Sequence, residues 1–223
     1  MDEVMEVFDY LNRKMPKGEY LYLVGGSSRD YLLKRPFKDF DFATSLAPQE
    51  AEKVFKNEEK FNFAFARFGI VEFKYRGYDI TLATFRKENN YQDQRHPTEL
   101  VFLKGDAFKE DSLRRDFTIN AIYLDAALKI KDPQKGQQDL EQKLIRMIGP
   151  IETRINEDPL RILRAYRFAS SLGFRLEDNL ADYCEEHIFL IQELNPQKVE
   201  SELKKFTPEG KRKMLALLGV KSC

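Results

Sequence analysis

Leu21-Tyr-Leu-Val-Gly-Gly-Ser-Ser-Arg-Asp-Tyr-Leu-Leu-Lys-Arg-Pro-Phe-Lys-Asp-Phe-Asp-Phe-Ala-Thr44 is the stretch around which the chain is organised. Leu21 to Val24 is a short apolar run that stops at Gly25-Gly26, and Ser27 onward starts a helix carrying Tyr31, Leu32 and Leu33. The pattern predicts strand, tight turn, helix. Glycines let backbone approach a ligand closely, free N–H groups at a helix start attract an anion, and Arg29 stands one turn in to neutralise it. Asp39-Phe-Asp41-Phe alternates acid and aromatic, so as a strand it turns both carboxylates to one face and both rings to the other. Two adjacent carboxylates repel. They are tolerated where a hard cation such as Mg2+ neutralises them, since Mg2+ takes carboxylate oxygens together with substrate phosphates.

Val-Gly-Gly-x-x-Arg-Asp-x-Leu-Leu followed by Lys-Asp-x-Asp-x-Ala-Thr resembles the signature of the bacterial-type (class II) tRNA nucleotidyltransferase and poly(A) polymerase family, relatives of the polymerase-beta superfamily. The resemblance implies an α+β catalytic head, with a mixed sheet and flanking helices, followed by an all-helical neck. It also implies that Asp39 and Asp41 hold two Mg2+ ions and that Gly25, Gly26 and Arg29 cradle a triphosphate.

Residues 3–15 carry Val4, Val7, Phe8, Leu11 and Met15 at helical spacing, which predicts an amphipathic helix used for packing. Pro48 opens a second helix. Phe61 to Phe73 and Tyr75 to Arg86 read as strands, with Arg76-Gly77 as the hairpin turn. Relatives often carry an acid five residues before the Arg of their Thr-Phe-Arg run; here that position is Thr81, and Asp79, two residues earlier on the same strand face, is the candidate third metal-site acid. The chain also has Ile70 where the family more often has Thr.

Lys87 to Thr98 is polar, aperiodic and proline-containing, and reads as a surface loop. Its Glu-x-x-Tyr-x-Asp-x-Arg-x-Pro pattern resembles the loop that family members use to switch from adding C to adding A. Asp111-Ser-Leu-Arg-Arg-Asp-Phe-Thr-Ile-Asn-Ala121 is the next specific run, expected as a helix capped by Asp111 with Leu113 and Phe117 inward. By resemblance to the family's second motif, Arg115, Asp116 and Asn120 hold the incoming nucleotide's ribose and phosphates. Ile122 to Leu124 and Leu128 to Ile130 form a final hairpin, and Asp139 to Met147 a connecting helix. The boundary falls near Gly149-Pro150, giving a head over 1–149 and a helical neck without strands over 150–223.

In the neck, Pro159 at the first helical position makes Asp158 a natural N-cap, and Arg161, Arg164 and Arg167 follow at spacings of three. A carboxylate acceptor beside a guanidinium donor can meet the amino group and ring nitrogen that cytosine and adenine share, while guanine and uracil present the opposite pattern. Glu157, Asp158 and Arg161 resemble the family's Glu-Asp-x-x-Arg motif, which makes Arg164 and Arg167 further nucleotide contacts. Asn195 to Phe206 resembles a later neck segment, with Gln197 and Lys198 where the family has Glu and Arg.

Lysine plus arginine and aspartate plus glutamate are both 37, so bulk charge does not advertise a nucleic-acid partner and any basic face must be local. Cys184 and Cys223 are far apart, which excludes a Cys/His metal cluster and fits a reducing, cytoplasmic compartment. The acidic start argues against a signal peptide, and no apolar run approaches membrane-spanning length. The expected activity is template-independent addition of CMP and AMP, from CTP and ATP, to the tRNA 3′ end, with no membrane and no stable protein partner. Poly(A) addition, A-only addition and an idle RNA-binding remnant are the alternatives.

Overall fold

The computed structural model describes residues 2–91 and 97–219, and the chain divides into two compact units. One unit comprises Met1–Asn89, Glu99–Arg115 and Asn120–Gly136. Along it run α1 (Asp2–Lys14), β1 (Leu21–Leu23), α2 (Gly25–Leu32), β2 (Asp39–Thr44), α3 (Pro48–Phe55), β3 (Glu59–Asn62), β4 (Ile70–Tyr75) and β5 (Tyr78–Thr84). β6 (Arg86–Tyr91) and β7 (Pro97–Phe102) form a separate two-stranded sheet. Then come α4 (Phe108–Leu113), β8 (Tyr123–Leu124) and β9 (Ile130–Lys131).

The main sheet has the order β3-β4-β5-β2-β1-β8-β9 and is mixed: β2 runs parallel to β5, and its other ladders are antiparallel. β2 lies inside it with both edges paired, and the alternation of the sequence decides what each face holds. Phe40 and Phe42 are buried with Val7, Phe8 and Leu11 of α1 and Phe55 of α3. Ala43, on the same face as Asp39 and Asp41, packs instead with Tyr22, Phe85, Phe108 and Tyr123. One strand thus joins a dry core to a polar surface. The expected hairpin is present, with Arg76 and Gly77 both at positive φ, as a tight two-residue turn between right-twisted strands requires.

Several expectations are corrected. Asp111 does not open a helix but lies inside α4, which ends at Leu113, and a 3₁₀ turn over Thr118–Asn120 follows. Leu113 is consequently 59 % exposed, while Phe117, Ile119 and Ala121 are buried as expected. Part of Lys87 to Thr98 is strand, not loop, because ladder hydrogen bonds need only backbone and no apolar periodicity; residues 92–96 of that run lie outside the described residues.

The other unit comprises Asn90–Thr98, Asp116–Ile119 and Gln137–Cys223. The remaining elements are α5 (Gly136–Glu141), β10 (Leu144–Ile145), α6 (Ile151–Glu157), α7 (Leu160–Leu172), β11 (Arg175–Leu176), α8 (Asp178–Glu186), α9 (Pro196–Leu203) and α10 (Pro208–Leu217). β10 and β11 pair in parallel, against the expectation of an uninterrupted helix over 139–147 and of a neck without strands. Lys143, at φ 54, ends the helical run. Strands of two residues are too short to show an alternation in sequence.

Candidate active site

Gly25 has φ 72 and is the first residue of α2, so the helix begins two residues before Ser27. A Cβ at Gly25 would stand 3.3 Å from Asp41 Oδ2 and 3.9 Å from Arg115 Nη1, and one at Gly26 would stand 3.9 Å from the same carboxylate oxygen. The turn is therefore packed directly against the metal-type acid, and both the conformation and the space select glycine at position 25. Ser27 locks the arrangement: its Oγ donates to the Asp39 carbonyl (2.7 Å) and accepts from the Asp41 N–H (2.8 Å). The serine after the glycines is a staple between α2 and β2, a role that the sequence pattern did not reveal.

The pairing of β2 with β5 puts Asp39 opposite Asp79 and Asp41 opposite Thr81, and β4 puts Glu72 opposite Thr81 and Lys74 opposite Asp79. All six side chains line one cleft of about 450 Å³. Asp79 is 56 % exposed and its carboxylate is 2.7 Å from Lys74 Nζ. Among the described residues no group of three or more acids, histidines or cysteines is gathered closely enough to hold a metal ion; Asp39 stands near enough to Asp41 for its charge to act on that carboxyl. Glu72, which accepts from Asn62 Nδ2 at 2.8 Å, was missed in the sequence. The signal was present, since Glu72 and Lys74 alternate with buried Val71 and Phe73.

Burial pushes the Asp41 carboxyl up to about 6, and the neighbouring charge of Asp39 adds to the rise. Arg115, Arg29 and the N–H of Gly26 pull it back without cancelling it. This carboxylate is therefore undercompensated by the protein, which is the condition a bound cation relieves.

Arg115 is held from the opposite side. Asp111 is fully buried; its Oδ1 accepts from Arg114 Nε (2.8 Å), and its Oδ2 accepts from Arg115 Nη2 (3.0 Å) and the Tyr123 hydroxyl (2.8 Å). Arg115 Nε also donates to the Tyr123 oxygen at 2.8 Å. Burial alone would raise the Asp111 pKa, but the two guanidinium groups outweigh it and hold the carboxyl down to about 2. The residue expected as a cap is thus an anchor for both arginines. Arg29, 7 % exposed, gives Nη1 to Asn120 Oδ1 (2.8 Å) and its other edge to Asp30, so it is a buried strut between α2 and the 3₁₀ turn.

In the second unit, Asp116 Oδ1 accepts from the Phe117 N–H (2.7 Å), and Oδ2 accepts from Arg164 Nε (2.8 Å) and from Arg164 Nη2. The capping expectation is corrected: α7 starts at Leu160 with Pro159 at its N-cap, and Asp158 instead follows the end of α6, its carboxylate accepting from the Leu160 N–H at 3.2 Å two residues on. Arg161 is 6 % exposed; its Nη1 donates to Glu157 Oε2 (2.8 Å) and to the Arg154 carbonyl. Arg167 donates from Nε to buried Glu202 Oε1 (2.5 Å) and lies over the Phe168 ring. Arg161, Arg164 and Arg167, spaced by three, thus each meet a different carboxylate: Glu157, Asp116 and Glu202. Spacing along the helix does not show which carboxylates the neighbouring elements bring.

The family described as poly A polymerase head domain matches residues 21–146, the span that carries every element of the cleft. The chain belongs to this family. It is 41% identical over 186 residues to a Staphylococcus saprophyticus protein named CCA-adding enzyme, covering 83% of this chain and 45% of that one. A Listeria innocua protein of the same name is 37% identical over 201 residues, 90% of this chain and 50% of that one. In fold it is similar to the Bacillus stearothermophilus CCA-adding enzyme solved in complex with CTP, with TM-score 0.80 and 30% identity over 99% of this chain and 53% of that one. A tRNA nucleotidyltransferase complexed with a primer tRNA and an incoming ATP analog gives TM-score 0.66 and 28% identity, covering 90% of this chain and 55% of that one. The chain thus spans about half the length of the relatives it matches. Among the described residues no helix is long and apolar enough to cross a membrane.

Proposed function

We propose that this chain is the head and neck of an enzyme that adds CMP and AMP, from CTP and ATP, to the 3′ end of tRNA without a template and releases pyrophosphate. The observation that carries the reading is the Gly25-Gly26 turn packed against Asp41 on the same strand face as Asp39. Relatives named CCA-adding enzyme, one solved with CTP, support the choice of nucleotides. On this reading the functional head runs over 1–149 and the neck over 150–223.

The donor set fits divalent metal, with Mg2+ as the proposed ion. Asp39 and Asp41 would hold it, with substrate phosphate oxygens completing the shell and Asp79, in register with Asp39, as the third acid. When bound, two such ions supply charge stabilisation to the entering and leaving oxygens of phosphoryl transfer. The chain's own residues position. The backbone of Gly25 and Gly26 leaves room for phosphate beside the acids, and Arg115, anchored by Asp111, is aimed at the same place. Arg29 and Asn120 fix the turn, and Asp116 sets Arg164. Asp158 and Arg161 are the proposed readers of the base edge, with Glu157 holding Arg161 until a base displaces that contact.

The test is incubation of the chain with a tRNA trimmed of its 3′ terminus, Mg2+ and each labelled nucleoside triphosphate in turn. Addition of two C and one A is expected, with the activity lost in Asp39→Ala and Asp41→Ala. A ladder of A residues makes the chain a poly(A)-type polymerase, A alone makes it an A-adding enzyme, and no incorporation by the folded chain refutes the activity for this head and neck.

A further inference from the structure

Between the start of α1, the loop after α2 and the β4–β5 turn, the first unit contains a cavity of about 1090 Å³. Its aromatic lining is Tyr31 at the end of α2, Phe37 in the following loop and Tyr78 at the start of β5. The ring of buried Phe40 lies 5.1 Å from Phe37 and 5.2 Å from Tyr78 and so backs the floor that those two rings make. Phe40 points away from Asp39 and Asp41 by strand alternation, and the floor therefore belongs to the face opposite the carboxylates.

The rim is basic. Lys34, Arg35, Lys38 and Arg76 all line the cavity and all are exposed. The loop that carries the first three is fixed by its backbone, with the Lys34 N–H bonded to the Tyr31 carbonyl (3.0 Å) and the Arg35 N–H to the Asp30 carbonyl (2.8 Å). Two acids stand nearby: Glu6 pairs with Arg76, and Glu3 accepts from the Tyr78 hydroxyl. The lining cations still outnumber the lining acid, Glu3, by four to one.

We propose that this cavity is a second nucleotide site, taking a nucleoside polyphosphate with its base on the Phe37 and Tyr78 rings and its phosphates on Lys34, Arg35 and Lys38. Aromatic faces stack any base, while clustered ammonium and guanidinium groups hold phosphate by charge-assisted hydrogen bonds. The size suits a small molecule, since ligand pockets run to about 1,000 Å³. Lys38 directly precedes Asp39, so an occupant would touch the start of the strand that carries the acids, from its other side.

The experiment is photolabelling of the full chain with 8-azido-ATP in EDTA, followed by peptide mapping and equilibrium dialysis. Label is expected in peptides containing Phe37 or Tyr78. The doubly substituted Lys34→Glu, Lys38→Glu chain should lose about a hundredfold or more in affinity for that label, because two charge-assisted contacts are replaced by repulsive carboxylates. Lys34→Arg should retain it, and the melting temperatures should match, since these side chains are exposed. Inorganic tripolyphosphate should displace the label less well than ATP. Equal displacement would reduce the cavity to a general polyanion site and overturn the nucleoside assignment. Tighter displacement by a tRNA acceptor-stem oligonucleotide would make it an RNA contact, and label confined to peptides of the Asp39 face and α7 would leave the cavity without a nucleotide; either result overturns the proposal.

Discussion

Asp41→Asn separates the electrostatic cost of the site from its chemistry. In the folded chain the Asp41 carboxyl is raised from 3.8 to about 6, which at 1.36 kcal/mol per pH unit makes its ionised form about 3 kcal/mol less favourable than in the unfolded chain. The sign follows from proton binding. Between about pH 4 and pH 6 the folded state retains a proton that the unfolded state has released, so wild-type stability falls as pH rises through that window and stays low above it. Asparagine resembles the protonated acid and does not titrate. Without metal at pH 7.5 the variant should therefore be more stable by up to about 3 kcal/mol, a rise of about 6–12 °C in melting temperature for a chain of this size. The gap should close toward pH 4. If the proposed two-acid site holds Mg2+, the ion should raise the melting temperature of the wild type more than that of the variant. Turnover in the variant should fall about a thousandfold, since charge stabilisation worth several kcal/mol is lost. Urea unfolding across pH with EDTA and with Mg2+ makes the measurement. A variant no more stable than wild type at pH 7.5 in EDTA, or a gap independent of pH, refutes the undercompensated carboxylate.

Asp111→Asn should act in the opposite direction: a carboxyl held at about 2 stabilises the fold above about pH 4 and loses that contribution as pH falls toward 2, so the variant should lose about 2 kcal/mol at pH 7 and little in acid, read by the same titration. Its KM for nucleotide should also rise, because Arg115 loses the group that aims it. Gly25→Ala should cost about 1–2 kcal/mol from the left-handed backbone and weaken metal-dependent activity, while Gly18→Ala, with φ 91 and open space around it, should show the stability loss alone. Arg161→Ala should lower the melting temperature, since Glu157 loses its 2.8 Å donor, and should reduce CTP and ATP incorporation more than UTP and GTP; an equal fall for all four nucleotides would confine Arg161 to packing.

Local patterns made the central features legible. Alternation placed Asp39 and Asp41 on one face and Phe40 and Phe42 in the core, the glycine pair marked the turn, and Arg76-Gly77 marked the hairpin. Partners across the fold were not legible. Asp111 looked like a cap because a helix start and a buried anchor use the same residue type, and only Tyr123, which strand β8 brings alongside, completes its role. The pairing of Arg167 with Glu202 was not legible either, because that carboxylate lies 35 residues away. Charge spacing on a helix reports which side chains share a face, not what faces them.

The site concentrates two features that work against an isolated fold, a left-handed Gly25 pressed to a carboxylate and a buried Asp41 whose charge its neighbours do not neutralise, beside a pair of arginines held by one buried aspartate. The first two have local remedies that the chain does not use. A side chain at position 25 with ordinary backbone would relieve the first, and an asparagine the second. What these features have in common is the space between Gly25, Asp41 and Arg115, where the backbone of the turn, a carboxylate and a guanidinium come together. Such conflicts between local preference and the fold mark functional sites. On the proposed reading, a bound cation would offset the excess negative charge at Asp41, and Arg115, already matched by Asp111, would meet the triphosphate beside it.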